Sequence, residues 1–256
     1  MSVSRKWLLS LCALAFTPGL WAASGHPLAP VNELLQGREP QTQGLILDLP
    51  LISEDGSAVP LEVHFEGTLS ADDQLQAISI FASANPNPEI IEFHFHSAQA
   101  LPQAATRIRL NESQTVWAVA ISEQGHTWIA QREVRVTVSG CLMRGDDAAT
   151  AGMHNPRIAV PRRMTAGQPL ELRTLINHPM ETGLRENTAG ELVPKDLVTR
   201  LTLELDGEPA FTARFHTGTS ANPYVLLSVQ LAQPRQAEFI WIDQHGETVS
   251  ETRQLL

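Results

Sequence analysis

The chain has 256 residues, with 28 acidic against 18 basic side chains and a formal net charge of −10. An acidic surface argues against nucleic acid and anionic membrane as partners and suits docking onto basic protein surfaces. With two cysteines, Cys12 and Cys141, the fold rests on apolar burial, not on a disulfide framework; roughly 230 residues after an export signal suffice for two domains of ordinary size.

Residues 1–23 read as a signal peptide. Arg5 and Lys6 form a short basic region, and Trp7 to Phe16 an apolar run too short to span a bilayer comfortably. Pro18-Gly19 breaks that run, and Trp21-Ala22-Ala23 supplies small residues for cleavage. The Leu9-Ser10-Leu11-Cys12 context has a bulky Leu where a lipoprotein signal needs a small residue, so no lipid or membrane anchor is expected. The expected location is a bacterial periplasm. Cleavage removes Arg5 and Lys6, shifting the net charge to about −12, and leaves Cys141 as the single thiol.

After the signal, Leu28, Val31, Leu34 and Leu35 recur at helical spacing and Gly37 closes them, which predicts a short N-terminal helix. From Leu45 the period changes to two. Leu61 to Phe65, Ala77 to Phe81, Ile91 to Phe95, Thr106 to Leu110, Val116 to Ile121 and Trp128 to Val138 all alternate. Turn chemistry separates them at Asp55-Gly56, Ala71-Asp72-Asp73, Asn85-Pro86-Asn87-Pro88, Asn111-Glu112-Ser113 and Gln124-Gly125. The pattern stops over residues 142–155, a polar, small-residue stretch that reads as a linker. It resumes over Arg157 to Val160, Leu170 to Leu175, Arg200 to Leu205, Ala210 to Phe215, Tyr224 to Leu231 and Glu238 to Ile242. The prediction is an all-β chain of two immunoglobulin-like antiparallel sandwich domains, 25–141 and 156–256. The stretch from Asn177 to Asp196 is long for a connection without strand pattern, which marks a functional or interface loop.

Two constellations carry candidate chemistry. Cys141 follows an alternating strand and the small Ser139-Gly140 step. A structural cysteine usually packs inside an element as a small hydrophobe; a thiol just past a strand end, after a residue without a side chain, can be presented to a partner. Arg144 favours its thiolate and Asp146 and Asp147 oppose it. A single thiol per chain also permits a disulfide-linked homodimer. His94 and His96 share one face of a strand with His64 on another, a metal-ligand arrangement in principle. Phe93 and Phe95 on the opposite, core-directed face leave these histidines for solvent or a partner, so no metal is assigned. No serine nucleophile elbow, phosphate loop, zinc-protease helix or paired-cysteine metal motif is present.

The first half resembles SoxY. The residues that carry this are Asp55-Gly56 with Val59-Pro60-Leu61, Ile80-Phe81-Ala82 with Asn85-Pro86-Asn87-Pro88, Thr106 to Leu110, Gln114 to Ala120, and Val136 to Cys141. The second half resembles SoxZ through Pro156 to Pro161, His178-Pro179-Met180-Glu181-Thr182-Gly183 and Ser220-Ala221-Asn222-Pro223-Tyr224. The whole is similar to a fused SoxYZ, the carrier of the thiosulfate-oxidising Sox system, and its fused architecture resembles the group associated with quinoprotein dehydrogenases.

The resemblance implies a cofactor-free, noncatalytic periplasmic carrier whose two domains pair with each other. Cys141 would attach thiosulfate-derived sulfur covalently, and Ser139 and Gly140 would form the near half of its arm. A c-type cytochrome enzyme, a hydrolase and a molybdenum enzyme are the partners so implied. The family arm is Gly-Gly-Cys-Gly-Gly at a C-terminus; here it reads Ser139-Gly140-Cys141-Leu142-Met143 and is internal. Fusion replaces a bimolecular encounter by an intramolecular one, at an effective concentration of order millimolar for a flexible linker. The alternative is a noncatalytic adaptor for a periplasmic quinoprotein dehydrogenase and its cytochrome.

Overall fold

A computed structural model describes His26, residues 28–138 and residues 152–256. One short helix, α1 (Ala29–Leu35), is followed by β1 (Leu45–Asp48), β2 (Ile52–Ser53), β3 (Val59–Phe65), β4 (Leu75–Ala82), β5 (Glu89–Phe95), β6 (Ala100–Ile108), β7 (Gln114–Ser122) and β8 (Thr127–Val136). The second half contributes β9 (His154–Ala159), β10 (Pro169–Asn177), β11 (Val198–Leu205), β12 (Glu208–Phe215), β13 (Tyr224–Gln230), β14 (Arg235–Asp243) and β15 (Thr248–Leu255).

Each half is a β-sandwich, and the halves are joined edge to edge. One sheet has six strands in the order β1-β3-β6-β13-β10-β9, the other nine in the order β15-β14-β11-β12-β5-β4-β7-β8-β2. Both sheets therefore run through the boundary between the halves. In the larger sheet β5 pairs with β12 from Phe95↔Phe211 to Ile91↔Phe215; in the smaller, β6 pairs with β13 from Thr106↔Val225 to Ala100↔Val229. An open strand edge is a row of unpaired amides and carbonyls, and each half satisfies the other's.

The core follows the same continuity. One cluster of buried side chains extends from Leu45, Val63 and Trp128 in the first half to Leu172, Phe239 and Trp241 in the second. At the junction the Phe93 and Phe211 rings stack at 6.1 Å, and Phe95 meets Phe211 edge-on at 5.6 Å. Burial of three phenylalanines at about 25 cal/mol per Å² makes this seam a major source of stability.

Helix α1 covers part of the outer face of the nine-stranded sheet. Pro30 sits in its first turn, where the missing N–H costs nothing. Gln36 ends it in the left-handed conformation at φ 51°, its N–H donating to the Asn32 carbonyl, and Gly37 follows at φ 75°. Val31 and Leu35 pack on Phe81 and Val119, flanked by Trp117 and Ile129.

The alternating stretches all form strands, and three further strands join them. β1 pairs with β3 and the two-residue β2 pairs in parallel with the end of β8. β15 pairs with β14 over its full length. β15 carries Thr248, Ser250, Thr252 and Gln254 on one side and Val249, Glu251, Arg253 and Leu255 on the other, an edge-strand composition whose apolar signal is too thin to read. β9 begins at His154, inside the stretch read as a linker.

Candidate functional site

Cys141, with Ser139 and Gly140, lies outside the described residues, as do residues 142–151. The base from which that stretch departs is described. β8 pairs with β7 from Ile121↔Thr127 to Gln114↔Val134. Beyond that ladder a strap formed by residues 51–56 takes over. Arg135 and Thr137 donate their amides to the carbonyls of Leu51 and Ser53 at 2.9 and 3.0 Å, and Gly56 donates to the Val138 carbonyl at 3.0 Å. The Ser113 hydroxyl accepts from the Val136 amide at 3.0 Å. The strand is thus held in register up to Val138, three residues before the cysteine.

The side chains around this end are unusually apolar for an edge. Leu51, Ile52 and Val138 are 70%, 57% and 51% exposed. A shallow groove of about 540 Å³ runs beside them, lined by Ser113 to Thr115 and Glu133 to Arg135. Exposed apolar groups on an otherwise unpaired sheet edge are a ready docking template.

The three histidines considered as a metal cluster are not brought together. His64 projects from β3 in the six-stranded sheet, and its Nε2 lies 3.2 Å from Glu66. His94 and His96 project from the outer face of the other sheet, their rings stacked at 6.2 Å. Two outward faces of a sandwich are separated by its whole thickness, more than about 10 Å. Among the described residues no group of three or more potential ligands is placed to hold a metal ion.

Glu92 on β5 lies between two histidines from the two halves, 3.0 Å from His94 Nε2 and 3.0 Å from His216 Nε2. Hydrogen bonds from His216 and His94 hold its carboxyl well below the usual carboxylate range, outweighing its partial burial. The stretch from Asn177 to Asp196 lies at the junction as well. Arg109, from the first half, is buried and donates to the carbonyls of Met180 and Pro179 at 2.6 and 3.0 Å. Burial brings its pKa down to about 10, against the opposing pull of Glu181, so it stays cationic at neutral pH. Within that loop His178 is buried, accepting the Met180 amide on Nδ1 at 3.1 Å with Nε2 3.6 Å from Asp196. Its burial pushes its pKa down, while Asp196 and Asp243 pull it up.

One serine, histidine and aspartate do converge, at the β7–β8 hairpin, yet they are not wired as a catalytic relay. His126 Nδ1 lies 3.0 Å from Asp73 and 3.5 Å from the Ser122 hydroxyl, so acid and alcohol meet the same ring nitrogen. A relay needs one on each nitrogen. The Gln124 amide also donates to Asp73, so the group staples a turn.

This is a pair of β-sandwiches joined edge to edge, with a strand anchored up to Val138, three residues before Cys141 in the sequence. A family model for the sulfur oxidation protein SoxY matches residues 31–141, and one for the sulphur oxidation protein SoxZ matches residues 158–254. The chain belongs to these two families in tandem, a fused SoxYZ sulfur-oxidation carrier protein. No curated protein matches it. Among solved structures, a superoxide reductase (neelaredoxin) from Ignicoccus hospitalis is 18% identical over 37% of this chain and 81% of that one, with a TM-score of 0.34. The two tandem V-type regions of a v-region-containing chitin-binding protein are 9% identical over 83% and 99%, with a TM-score of 0.28.

Proposed function

We propose that the protein is a periplasmic carrier that holds thiosulfate-derived sulfur covalently on Cys141 and presents it to sulfur-oxidation enzymes, without catalysing the steps itself. The observation that supports this most is where the family match stops: the SoxY model ends at residue 141, the cysteine itself. The strand that leads there is tied down to Val138, so the thiol follows a rigid base after three residues. The exposed Leu51, Ile52 and Val138 offer enzyme partners an apolar landing surface next to it.

The chemistry balances as follows. The Cys141 thiol and thiosulfate lose one proton and two electrons and form a sulfur–sulfur bond, giving a cysteine S-thiosulfonate, with a c-type cytochrome partner taking the electrons. Water then cleaves the bond between the sulfane sulfur and the sulfonate, releasing sulfate and one proton and leaving a persulfide. The first step consumes the Cys141 thiol, which reacts best as a thiolate; in the second its sulfur stays bound and water is the nucleophile. The test is loading of purified protein with thiosulfate in the presence of its oxidising enzyme. A covalent mass increase that reductant removes and that Cys141→Ser lacks is expected; equal labelling of Cys141→Ser would refute the assignment.

A further inference from the structure

A second site lies on the outer face of the nine-stranded sheet, where the halves meet. An open groove of about 720 Å³ runs from Pro88 and Glu89 across β12 and β11 to Gln244. Three cations face it: Lys195, Arg200 and Arg214, all exposed. Arg200 and Arg214 are direct register partners on β11 and β12. Like charges directly opposite on neighbouring strands repel, their Cβ atoms lying about 5 Å apart.

The surrounding positions offset that pair only in part. On the same face Thr202 and Thr212 lie on one side, and Ile242 is the next partner of Arg200. The one acid in register is Glu92, opposite Arg214 on β5, and its oxygens are taken by His94 and His216. Glu89 at the rim leans toward His216 Nδ1 at 3.9 Å. Other arginines of this chain do have carboxylate partners, as Arg185 has Glu181 and Arg253 has Glu251; among the described residues neither Arg200 nor Arg214 forms a salt bridge. The backbone under the lysine is fixed, since the Gln244 side-chain amide donates to the Lys195 carbonyl at 2.5 Å and the Gln244 backbone amide to the Leu197 carbonyl at 2.9 Å. In a chain of net charge −10, three cations against the one lining carboxylate, Glu89, make this groove locally positive.

We propose that this groove binds a tetrahedral oxyanion with two negative charges, of the class of sulfate and thiosulfate. Arg200 and Arg214 present paired planar forks that grip such an ion from two sides, and Lys195 adds a point charge at the rim. The site uses only described residues of β11, β12 and the Lys195 loop, so it stands independently of Cys141.

The test is isothermal titration of the full chain with sulfate, thiosulfate and phosphate, each at ionic strength matched with sodium chloride. Saturable one-to-one binding of at least one dianion is expected, about tenfold weaker in Arg200→Thr or Arg214→Thr, the loss of one charge-assisted contact, and unchanged in Cys141→Ser. The preferred ion identifies the source: thiosulfate for a substrate-side role, sulfate for a product-side role, equal binding for a general dianion site. No saturable binding by wild type, binding undiminished in the double variant, or binding of a glutamate-rich peptide alone would overturn the proposal. Threonine keeps strand propensity, and melting temperatures check folding independently. The double variant should melt higher than wild type in chloride, because the repulsion is gone. Wild type should gain more than the variant on exchange into sulfate, whose general stabilising effect both share.

Discussion

At the junction of the halves Phe93, Phe95 and Phe211 are buried, two pairs of strand edges are zipped together, and Arg109 ties the loop of one half to the other. At the far edge of the same nine-stranded sheet β2 is two residues long, and Leu51, Ile52 and Val138 face solvent. Both regions begin as exposed strand edges in an isolated half. One edge is closed permanently inside the chain, which makes the halves a single mechanical unit. The other stays open at the end of the strand that leads, in sequence, toward Cys141.

Disrupting the closed edge should have the largest effect. Phe93→Ala or Phe211→Ala is expected to cost about 3–5 kcal/mol, the usual loss for a fully buried phenylalanine. Because one core spans both halves, denaturant unfolding should remain a single transition in both variants; separate transitions would show that the halves are independent. Arg109→Ala should cost about 2–4 kcal/mol, since it leaves the carbonyls of Pro179 and Met180 without a donor in a buried setting. Hydrogen exchange in residues 178–182 should accelerate more than elsewhere.

The acid side of the stability profile sharpens the contrast. Glu92 has a depressed pKa, so its contribution is present above the ordinary carboxylate value, about 4.3, and is lost as pH falls below it toward the folded-state value. Glu92→Gln should flatten the fall in melting temperature between about pH 5 and pH 3, with less than about 1 kcal/mol lost at neutral pH, the side chain being partly exposed. An unchanged acid slope would remove Glu92 from the junction's pH response.

The open edge should respond least. Ser113→Ala removes the hydroxyl that accepts the Val136 amide, at an exposed position, and should cost about 0.5–1 kcal/mol. Exchange of the Val136 amide should quicken while the β5–β12 ladder stays protected. A global loss would mean that the base of the carrier stretch is coupled to the core.

The contrast also sorts what was legible in the sequence. The inward set Phe93 and Phe95 follows from strict alternation, and the helix from Leu28, Val31, Leu34 and Leu35 with Gly37 behind them, because each element buries one face and exposes the other. Phe211 and Phe215 fall in the stretch from Ala210 to Phe215 read as a strand, and the structure buries both. What alternation does not encode is which edges meet: the β5–β12 and β6–β13 ladders are bonds between backbones, and any strand edge offers the same groups. Length alone marks the Asn177–Asp196 stretch as a functional or interface loop without deciding between the two, while its partner Arg109 is, by alternation, one more arginine of the Thr106 to Leu110 strand. Strand pattern alone groups His64 with His94 and His96, because it does not tell which sheet a strand joins. Arg200 and Arg214 carried no signal until their strands were placed side by side.

The proposal stands or falls with sulfur carried on Cys141. The most direct measurement is intact-mass spectrometry of the protein from its native compartment during growth on thiosulfate, with and without reductant. Adducts equal to added sulfur atoms or thiosulfate, removed by reductant and absent from Cys141→Ser, are expected. A bare thiol under those conditions, with undiminished sulfur oxidation in cells carrying Cys141→Ser, would contradict it.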